Sequence, residues 1–356
     1  MNWLFLAILF LSLSIIAHEF GHFILAKRNG VKVEEFGIGF PPRLLVFARW
    51  GETIFSLNSI PFGGFVKVAG EDDPSVEGGL ASKPRKVRAK VLLAGAGMNL
   101  ALAFLLLTGA YMSGYPYPTF QVKVFEVAPG SPAEAAGIKP GDIILSADGV
   151  SFRRPEELSS YTDKHLGQEI SLVVKRGEQT FTVRLTPRPS PPPGEGPMGV
   201  KIGMAYVKRH ASLPEAILLG TMRFVYALIF IFTVPAQVIA GLLPVSALRP
   251  VGPVGAVQIM SEVAEQSSVM GWWYPFLSLV GLLNVALAVS NLLPIPGLDG
   301  GRLLFVIFEA IKKRRIDPRR EAWVHVVGIV FLLALMLIIT FFDIAAPIQS
   351  VDWNIF

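Results

Sequence analysis

The stretch LSLSIIAHEFGHFILAK at residues 11–27 places the polar cluster HEFGH, residues 18–22, inside an apolar run. That run extends from residue 1 to residue 26, and a helix needs roughly 20 apolar residues to cross a bilayer. No Lys or Arg precedes Lys27, and no small-residue cleavage pattern precedes the cluster. We therefore predict a membrane span rather than a signal peptide.

The composition of the whole chain points in the same direction. Of its 356 residues, 52% are hydrophobic and 17% are charged, and its mean hydropathy is +0.53, whereas soluble domains carry about 25% charged residues. This balance excludes an ordinary soluble enzyme and a disordered chain, and the absence of Cys excludes a disulfide-stapled module. The net charge of +5 comes with no Lys/Arg cluster interleaved with aromatics, so we expect no nucleic-acid partner.

Four further apolar stretches are long enough to matter, at residues 91–118, 224–248, 266–298 and 322–342. Lys and Arg concentrate between the first two of the five stretches and just before the last one, and such segments stay on the cytoplasmic side. If residues 224–248 crossed the membrane, the last basic segment would lie outside. We therefore predict a polytopic α-helical membrane protein with about four transmembrane helices and both termini outside. The stretch at 224–248 then lies on the outer leaflet or dips into it.

The region after the second span differs in character. Residues 119–188 predict a small β-rich module, because alternating strand patterns are separated by Pro-Gly, Asp-Gly and Arg-Gly turns. The strand patterns lie at residues 122–127, 169–174 and 180–185. A stiff Pro/Gly linker follows at 189–197, and we assign 198–265 to an extracytoplasmic strand and membrane-surface helices.

A second β pattern lies on the cytoplasmic side, in residues 34–71. Its strand segments are 36–40, 44–48, 53–60 and 65–69, with a turn signal around Gly63-Gly64. We expect a membrane-associated β-hairpin sheet there. The membrane domain would then consist of two halves, residues 1–118 and 266–356.

The cluster at residues 18–22 has the H-E-x-x-H spacing. Residues i and i+4 share one face of a helix, so His18 and His22 can reach one metal ion while Glu19 is placed to act on a water at that metal. Each ionisable side chain inside a membrane helix costs about 2.5–3.5 kcal/mol even on the lenient insertion scale, and such residues are functional by default. The setting therefore indicates a metal site, although a catalytic zinc usually takes a third protein ligand.

That third ligand is predicted in NLLPIPGLDGG, residues 291–301. Asp299 is the first charge after an uncharged run that starts at residue 266, and two prolines and three glycines interrupt the helix around it. Irregular backbone at membrane depth is tolerated only where protein or a cavity covers it. Taken alone, Asp299 fits the N-cap of a helix at 300–313, but the incomplete metal site favours Asp299 as the missing ligand.

Residues 18–22, residues 291–301 and a PDZ-like insert between them resemble the site-2 protease family of intramembrane zinc metalloproteases. The match is to the bacterial regulator-of-sigma-E protease group. The insert carries PGSPAEAAGIKPGDII at residues 129–144, and the chain has room for a single PDZ domain where members of that group often carry two. The resemblance implies one Zn²⁺ per chain held by His18, His22 and Asp299, with Glu19 as the general base.

The resemblance also implies residues that handle the substrate. The family's membrane-associated β-loop matches the strand pattern around residues 63–67, whose open edge would take an extended substrate as another strand. Asn291 matches a position implicated in substrate handling, and Asn99 follows a segment that lacks the family's usual Gly-Pro. The implied substrate-binding residues are Gly63, Gly64, Phe65, Val66, Lys67, Asn99 and Asn291.

The function so implied is regulated intramembrane proteolysis in the bacterial inner membrane. The expected substrates are transmembrane segments of single-span proteins, such as anti-sigma factors or remnant signal peptides, that another protease has already trimmed. The PDZ domain would lie outside and the active site toward the cytoplasm. A non-catalytic PDZ scaffold and a metal transport protein stay open as alternatives. The position that three protein ligands leave free on zinc favours catalysis.

Single cysteines introduced near Arg209 and Arg249 test the predicted topology, since the natural chain has none. If residues 224–248 do not cross the membrane, both sites lie outside, and a membrane-impermeant maleimide labels both in intact cells. A cysteine near Lys312 is the control and should react only after permeabilisation. Labelling of the first two sites from opposite sides would contradict the topology.

Overall fold

A computed structural model describes residues 2–347 of the chain. The described residues form two compact units: one comprises the chain up to Ser113 together with the chain from Ala211 onward, and the other runs from Gly114 to His210. In chain order the helices and strands are α1 (Trp3–Arg28), β1 (Val33–Trp50), β2 (Thr53–Val68), α2 (Arg85–Ser113), β3 (Tyr115–Val127), α3 (Pro132–Ala135), β4 (Ile143–Ala147), β5 (Val150–Ser151), α4 (Pro155–Lys164), β6 (Ile170–Arg176), β7 (Gln179–Leu185), β8 (Val200–Arg209), α5 (Leu213–Ile239), α6 (Pro253–Val269), α7 (Tyr274–Asn291), α8 (Asp299–Lys312) and α9 (Pro318–Ala345).

Within the described residues, five helices are long and apolar enough to cross a membrane: α1, α2, α5, α7 and α9. The apolar stretch at 266–298 does not form one helix, because α6 ends at Val269 and α7 begins at Tyr274. Gly271 between them has a left-handed backbone (φ +61°), and the proline at 275 fits only the first turn of a new helix. The helices support a polytopic membrane protein, while the crossing of α5 and the sidedness of the termini stay predictions.

The segment between α1 and α2 forms a sheet of two strands that each bend, so that four segments lie side by side. Residues 53–60 of β2 pair with 43–50 of β1 on one side and with 35–40 on the other, and residues 64–68 pair with 33–38. Gly63, with φ +68°, lies between the two parts of β2. Residues 64–68 therefore form an outer edge, and no third strand pairs with it in the part of the chain that the structure describes.

An aromatic cluster attaches this sheet to α1. Phe23 of α1 is 3% exposed, and its ring lies 5.5 Å from the rings of Phe36 and Phe55, each in an edge-to-face arrangement. Such pairs contribute beyond their buried area. Because residues 64–68 pair with the segment that carries Phe36, the cluster fixes the outer edge of the sheet beside α1.

The second unit is an antiparallel sheet in the order β7-β6-β4-β3-β8, with β5 paired to β4. Alternate side chains such as Val122, Ile144 and Leu172 are fully buried in its core. The strand patterns predicted at 122–127, 169–174 and 180–185 fall in β3, β6 and β7. We predicted that this module ends at residue 188, yet β8 pairs along β3 and belongs to the same sheet. Pairing between strands so far apart in sequence has no local signal.

Candidate metal centre

Three polar side chains from distant parts of the sequence meet at one point. His18 Nε2 lies 3.1 Å from His22 Nε2, and Asp299 Oδ2 lies 3.0 Å from the first and 3.2 Å from the second. Both histidines are buried, and the Asp299 side chain is 19% exposed. In residues 2–347 these side chains are the only group of His, Cys, Asp or Glu placed to hold a metal ion.

Local structure explains how Asp299 reaches the histidines of α1. It is the first residue of α8, directly after the irregular turn at 292–298, and the N-cap position falls on Leu298. Gly300 and Gly301 allow this turn to close, because a Cβ on Gly300 would collide with the carbonyls of Leu292 and Leu293, and one on Gly301 with the carbonyl of Ile295. The Asp299 carboxylate is therefore not used as an N-cap and faces the two imidazoles.

The hydrogen bonding of His22 shows that the centre fits a cation. Its Nδ1 lies 2.7 Å from the Val91 carbonyl oxygen, and a carbonyl only accepts, so Nδ1 carries the ring proton. In the neutral ring Nε2 then presents a lone pair to Asp299 Oδ2. This oxygen is buried and receives no hydrogen bond from the described residues. Electron-rich atoms held this close in a buried site are stabilised by a cation among them.

The donor set and its spacing fit zinc. Bonds of about 2.0–2.1 Å at tetrahedral angles separate the ligand atoms by about 3.3–3.4 Å, and the distances found here are 3.0, 3.1 and 3.2 Å. Two imidazoles and one carboxylate are a donor set of catalytic zinc sites, which leave a fourth position open. The Val91 carbonyl orients His22 in the way that ligating histidines are commonly oriented.

Glu19 lies beside the three donors without joining them. Its Oε2 accepts a hydrogen bond of 3.0 Å from the Val66 N–H, on the outer edge of β2. Two cavities of about 260 and 240 Å³ adjoin the centre, and His18, Glu19 and Asp299 line both. The Glu19 carboxylate is thus within reach of space that can hold water and a peptide.

Four of the seven residues predicted to bind substrate line these cavities. Phe65 and Val66 line the larger cavity, and Asn99 and Asn291 line the smaller one. Asn291 also touches the centre itself, because its Nδ2 lies 3.5 Å from Nδ1 of His18. The structure therefore brings these four residues together around the three donors.

The other three predicted residues are placed differently. Gly63 packs against α1, where an added Cβ would lie 3.2 Å from Ile15, and an added Cβ on Gly64 would meet Ile16 at 3.4 Å. The Lys67 side chain is 64% exposed and pairs with Glu34 at 2.7 Å. None of these three residues lines either cavity, so they can contribute only backbone groups or close packing.

Gly95 of α2 was not predicted to belong to the site, and the structure places it directly over the imidazoles. A Cβ on Gly95 would lie 2.6 Å from Nε2 of His18 and would collide with Nε2 of His22. Gly97, two residues further along α2, has open space around it. No sequence signal separates these two glycines, because their difference arises from the packing of α2 on α1.

An ion pair at the larger cavity was also not predicted from the sequence. Arg302, one turn after Asp299 on α8, pairs with Glu71 at 2.8 Å and with Asp72 at 3.1 Å. Burial raises the pKa of the Glu71 carboxyl, although the charge of Arg302 opposes this shift. These contacts connect the loop after β2 to the helix that begins with Asp299.

The sequence profile of peptidase family M50 matches residues 6–335 of the chain. The chain belongs to peptidase family M50. The predicted resemblance to site-2 proteases is confirmed, and this M50 peptidase is a site-2 type metalloprotease rather than a scaffold or a transporter.

Named relatives align with nearly the whole M50 chain. A Clostridium perfringens protein that carries the name of a zinc metalloprotease is 34% identical over 355 residues, which cover 97% of this chain and 99% of the relative. The regulator of sigma-W protease RasP of Bacillus subtilis is 27% identical over 411 residues, with 92% and 94% covered. The solved PDZ domain of an SdrC-like protein from Listeria monocytogenes covers 26% of this chain and 92% of that domain, with 21% identity and a TM-score of 0.20. The full-length relatives, and not this partial likeness, support the assignment.

Gly95→Ala is expected to destroy metal binding, because its methyl group would push the imidazoles of His18 and His22 out of position. The matched control is Gly97→Ala, where the added methyl group meets open space on the same helix. Zinc content of the purified proteins, measured by atomic absorption, checks this. A Gly95→Ala protein with as much zinc as the control would show that the donors do not meet beneath Gly95.

Proposed function

We propose that this M50 peptidase is an intramembrane zinc endopeptidase that cleaves transmembrane segments of single-span membrane proteins. The observation that carries the proposal is the triangle of donor atoms from His18, His22 and Asp299, with sides of 3.0, 3.1 and 3.2 Å. These three residues would hold one zinc ion per chain. Bound zinc supplies Lewis-acid polarisation of the scissile carbonyl and of the attacking water.

Glu19 is proposed to carry the proton transfers. Its carboxylate lines both cavities beside the donors, so it can accept a proton from the attacking water and later deliver it to the leaving amine. While no substrate lies at the edge of β2, the Val66 N–H holds Oε2 by a hydrogen bond. A general base typically contributes about 10²–10⁴-fold to the rate.

The outer edge of β2 is proposed to bind the substrate backbone. A helical substrate must unwind before attack, and in hydrocarbon its freed N–H and C=O groups need partners. Residues 64–68 have an open edge among the described residues, and the Val66 N–H on that edge bonds Glu19. A substrate carbonyl that takes this N–H would release the Glu19 carboxylate for proton transfer. Asn99 and Asn291, in the smaller cavity, would bind neighbouring peptide groups.

The proposed substrate class follows from the relatives. The Bacillus subtilis relative is named as a regulator of sigma-W protease, so we propose membrane-anchored anti-sigma factors as substrates, with remnant signal peptides as a second class. Another protease would trim these substrates first. The chain would lie in the bacterial inner membrane, with the active site toward the cytoplasm. The PDZ-like module, assigned to residues 119–188 and extended here by β8, would lie outside and select substrates by their outer parts.

Glu19→Gln should retain zinc and lose proteolysis, because the amide cannot accept the proton but keeps the size of the side chain. The expected fall in kcat is at least about 100-fold, measured with a single-span substrate in proteoliposomes. Glu52→Gln, at the exposed turn between β1 and β2, is the matched control and should retain full activity. Cleavage by Glu19→Gln close to the wild-type rate would remove Glu19 from the role of base.

Val66→Pro should greatly weaken cleavage while zinc stays bound, because proline cannot donate the N–H that faces the open edge. A proline is tolerated where its nitrogen points away from the strand ladder, so the pairing with β1 should survive. Val66→Ala, which keeps the N–H, is the control. We expect the proline to raise KM for an unwound peptide at least tenfold; unchanged KM and kcat would rule out strand addition at this edge.

A further inference from the structure

His325 is a buried histidine that the proposed reaction does not use. It lies on α9 with 2% of its surface exposed, and its Nδ1 accepts a hydrogen bond of 3.1 Å from the Gly297 N–H. Gly297 belongs to the irregular turn before α8, two residues before Asp299, and has a left-handed backbone (φ +97°). The ring therefore contacts the turn that delivers Asp299 to the metal centre.

The other ring nitrogen makes no hydrogen bond within the described residues that would explain a histidine at this position. Because Nδ1 accepts, the proton of the neutral ring lies on Nε2. Nε2 is buried and has no hydrogen-bond partner in residues 2–347, and a buried N–H without a partner is unfavourable. An apolar ring of similar size would avoid this cost. The hydrogen bond to Gly297 is the feature of His325 that such a ring could not reproduce.

His325 and its neighbours on α9 contact the chain both before and after Asp299. Its ring lies 5.4 Å from the ring of Phe305 on α8, the helix that Asp299 begins. One turn further along α9, Gly328 lies against the carbonyl of Pro296, with which an added Cβ would collide. The turn at 296–297 is thus pressed directly onto α9, and His325 provides the polar contact there.

We propose that His325 is a positioning residue that holds the turn at 296–297 and thereby fixes Asp299 as the third zinc donor. The proposal rests on the proposed function of Asp299 and adds a residue on a different helix. Groups that hydrogen-bond a metal ligand directly typically change metal affinity by about 10–100-fold when they are removed. His325 instead acts through the backbone of the ligand's own turn, two residues before Asp299.

The test is the rate of zinc loss from the full-length protein in detergent, followed with a chelating indicator. His325→Phe removes the acceptor and should release zinc at least about tenfold faster than wild type. His325→Asn places an amide oxygen where Nδ1 lies and should stay within about threefold of wild type. If the phenylalanine variant does not fold, His325→Leu removes the acceptor with less bulk and should give the same acceleration.

Two further variants separate this proposal from its alternatives. Asp343→Asn alters another buried residue of α9, which accepts hydrogen bonds from Gly252 and Gly255 at the start of α6, and should leave the zinc-loss rate unchanged. Equal acceleration by Asp343→Asn and His325→Phe, or wild-type zinc loss from the acceptor-free variants, would overturn the positioning role. Asp299→Ala tests the proposed function itself, because wild-type zinc retention in that variant would show that Asp299 is not a donor.

Discussion

The structure depends on holding three electron-rich atoms of His18, His22 and Asp299 within 3.2 Å of one another. In an apolar setting this arrangement is unfavourable unless a cation lies among the atoms. The i, i+4 spacing on α1 places the two imidazoles on one helix face, and the tight turn before α8 brings Asp299 to them. Gly95 of α2 leaves room for the imidazoles. The close approach of α1 and α2 also involves Gly21, since a Cβ on this residue would collide with the Ala94 carbonyl.

The second constraint is the need to give a partner to every backbone N–H and C=O group that is shielded from water. The irregular turn at 292–298 meets this need partly through α9, whose His325 accepts from Gly297. The outer edge of β2 meets it partly through Glu19, which accepts from Val66. The same open edge is the feature that suits an unwound substrate, because a strand edge offers the hydrogen bonds that hydrocarbon cannot. A single contact therefore joins the proposed base to the proposed substrate site.

The sequence predicted the donor side chains because their signals are local. His18 and His22 are one helical turn apart, and Asp299 stands out as a charge at the end of an apolar run. The strand segments at 36–40 and 65–69 were also visible, because alternation is a local property. Gly95 and His325 have no such signal, since their roles arise from helices that pack against α1 and α8. The boundary between α6 and α7 was missed because hydropathy does not register a left-handed Gly271. A strand after the Pro/Gly linker was predicted, but its pairing with β3 was not, because the two strands lie far apart in sequence.

X-ray absorption at the zinc edge of the purified full-length protein measures which atoms bind the metal. We predict one zinc ion per chain, bound by two imidazole nitrogens and at least one oxygen at about 2.0–2.2 Å, with one oxygen ligand removed or replaced in Asp299→Ala. A protein that purifies without zinc under conditions that preserve activity, or a zinc spectrum without imidazole ligands, would contradict it.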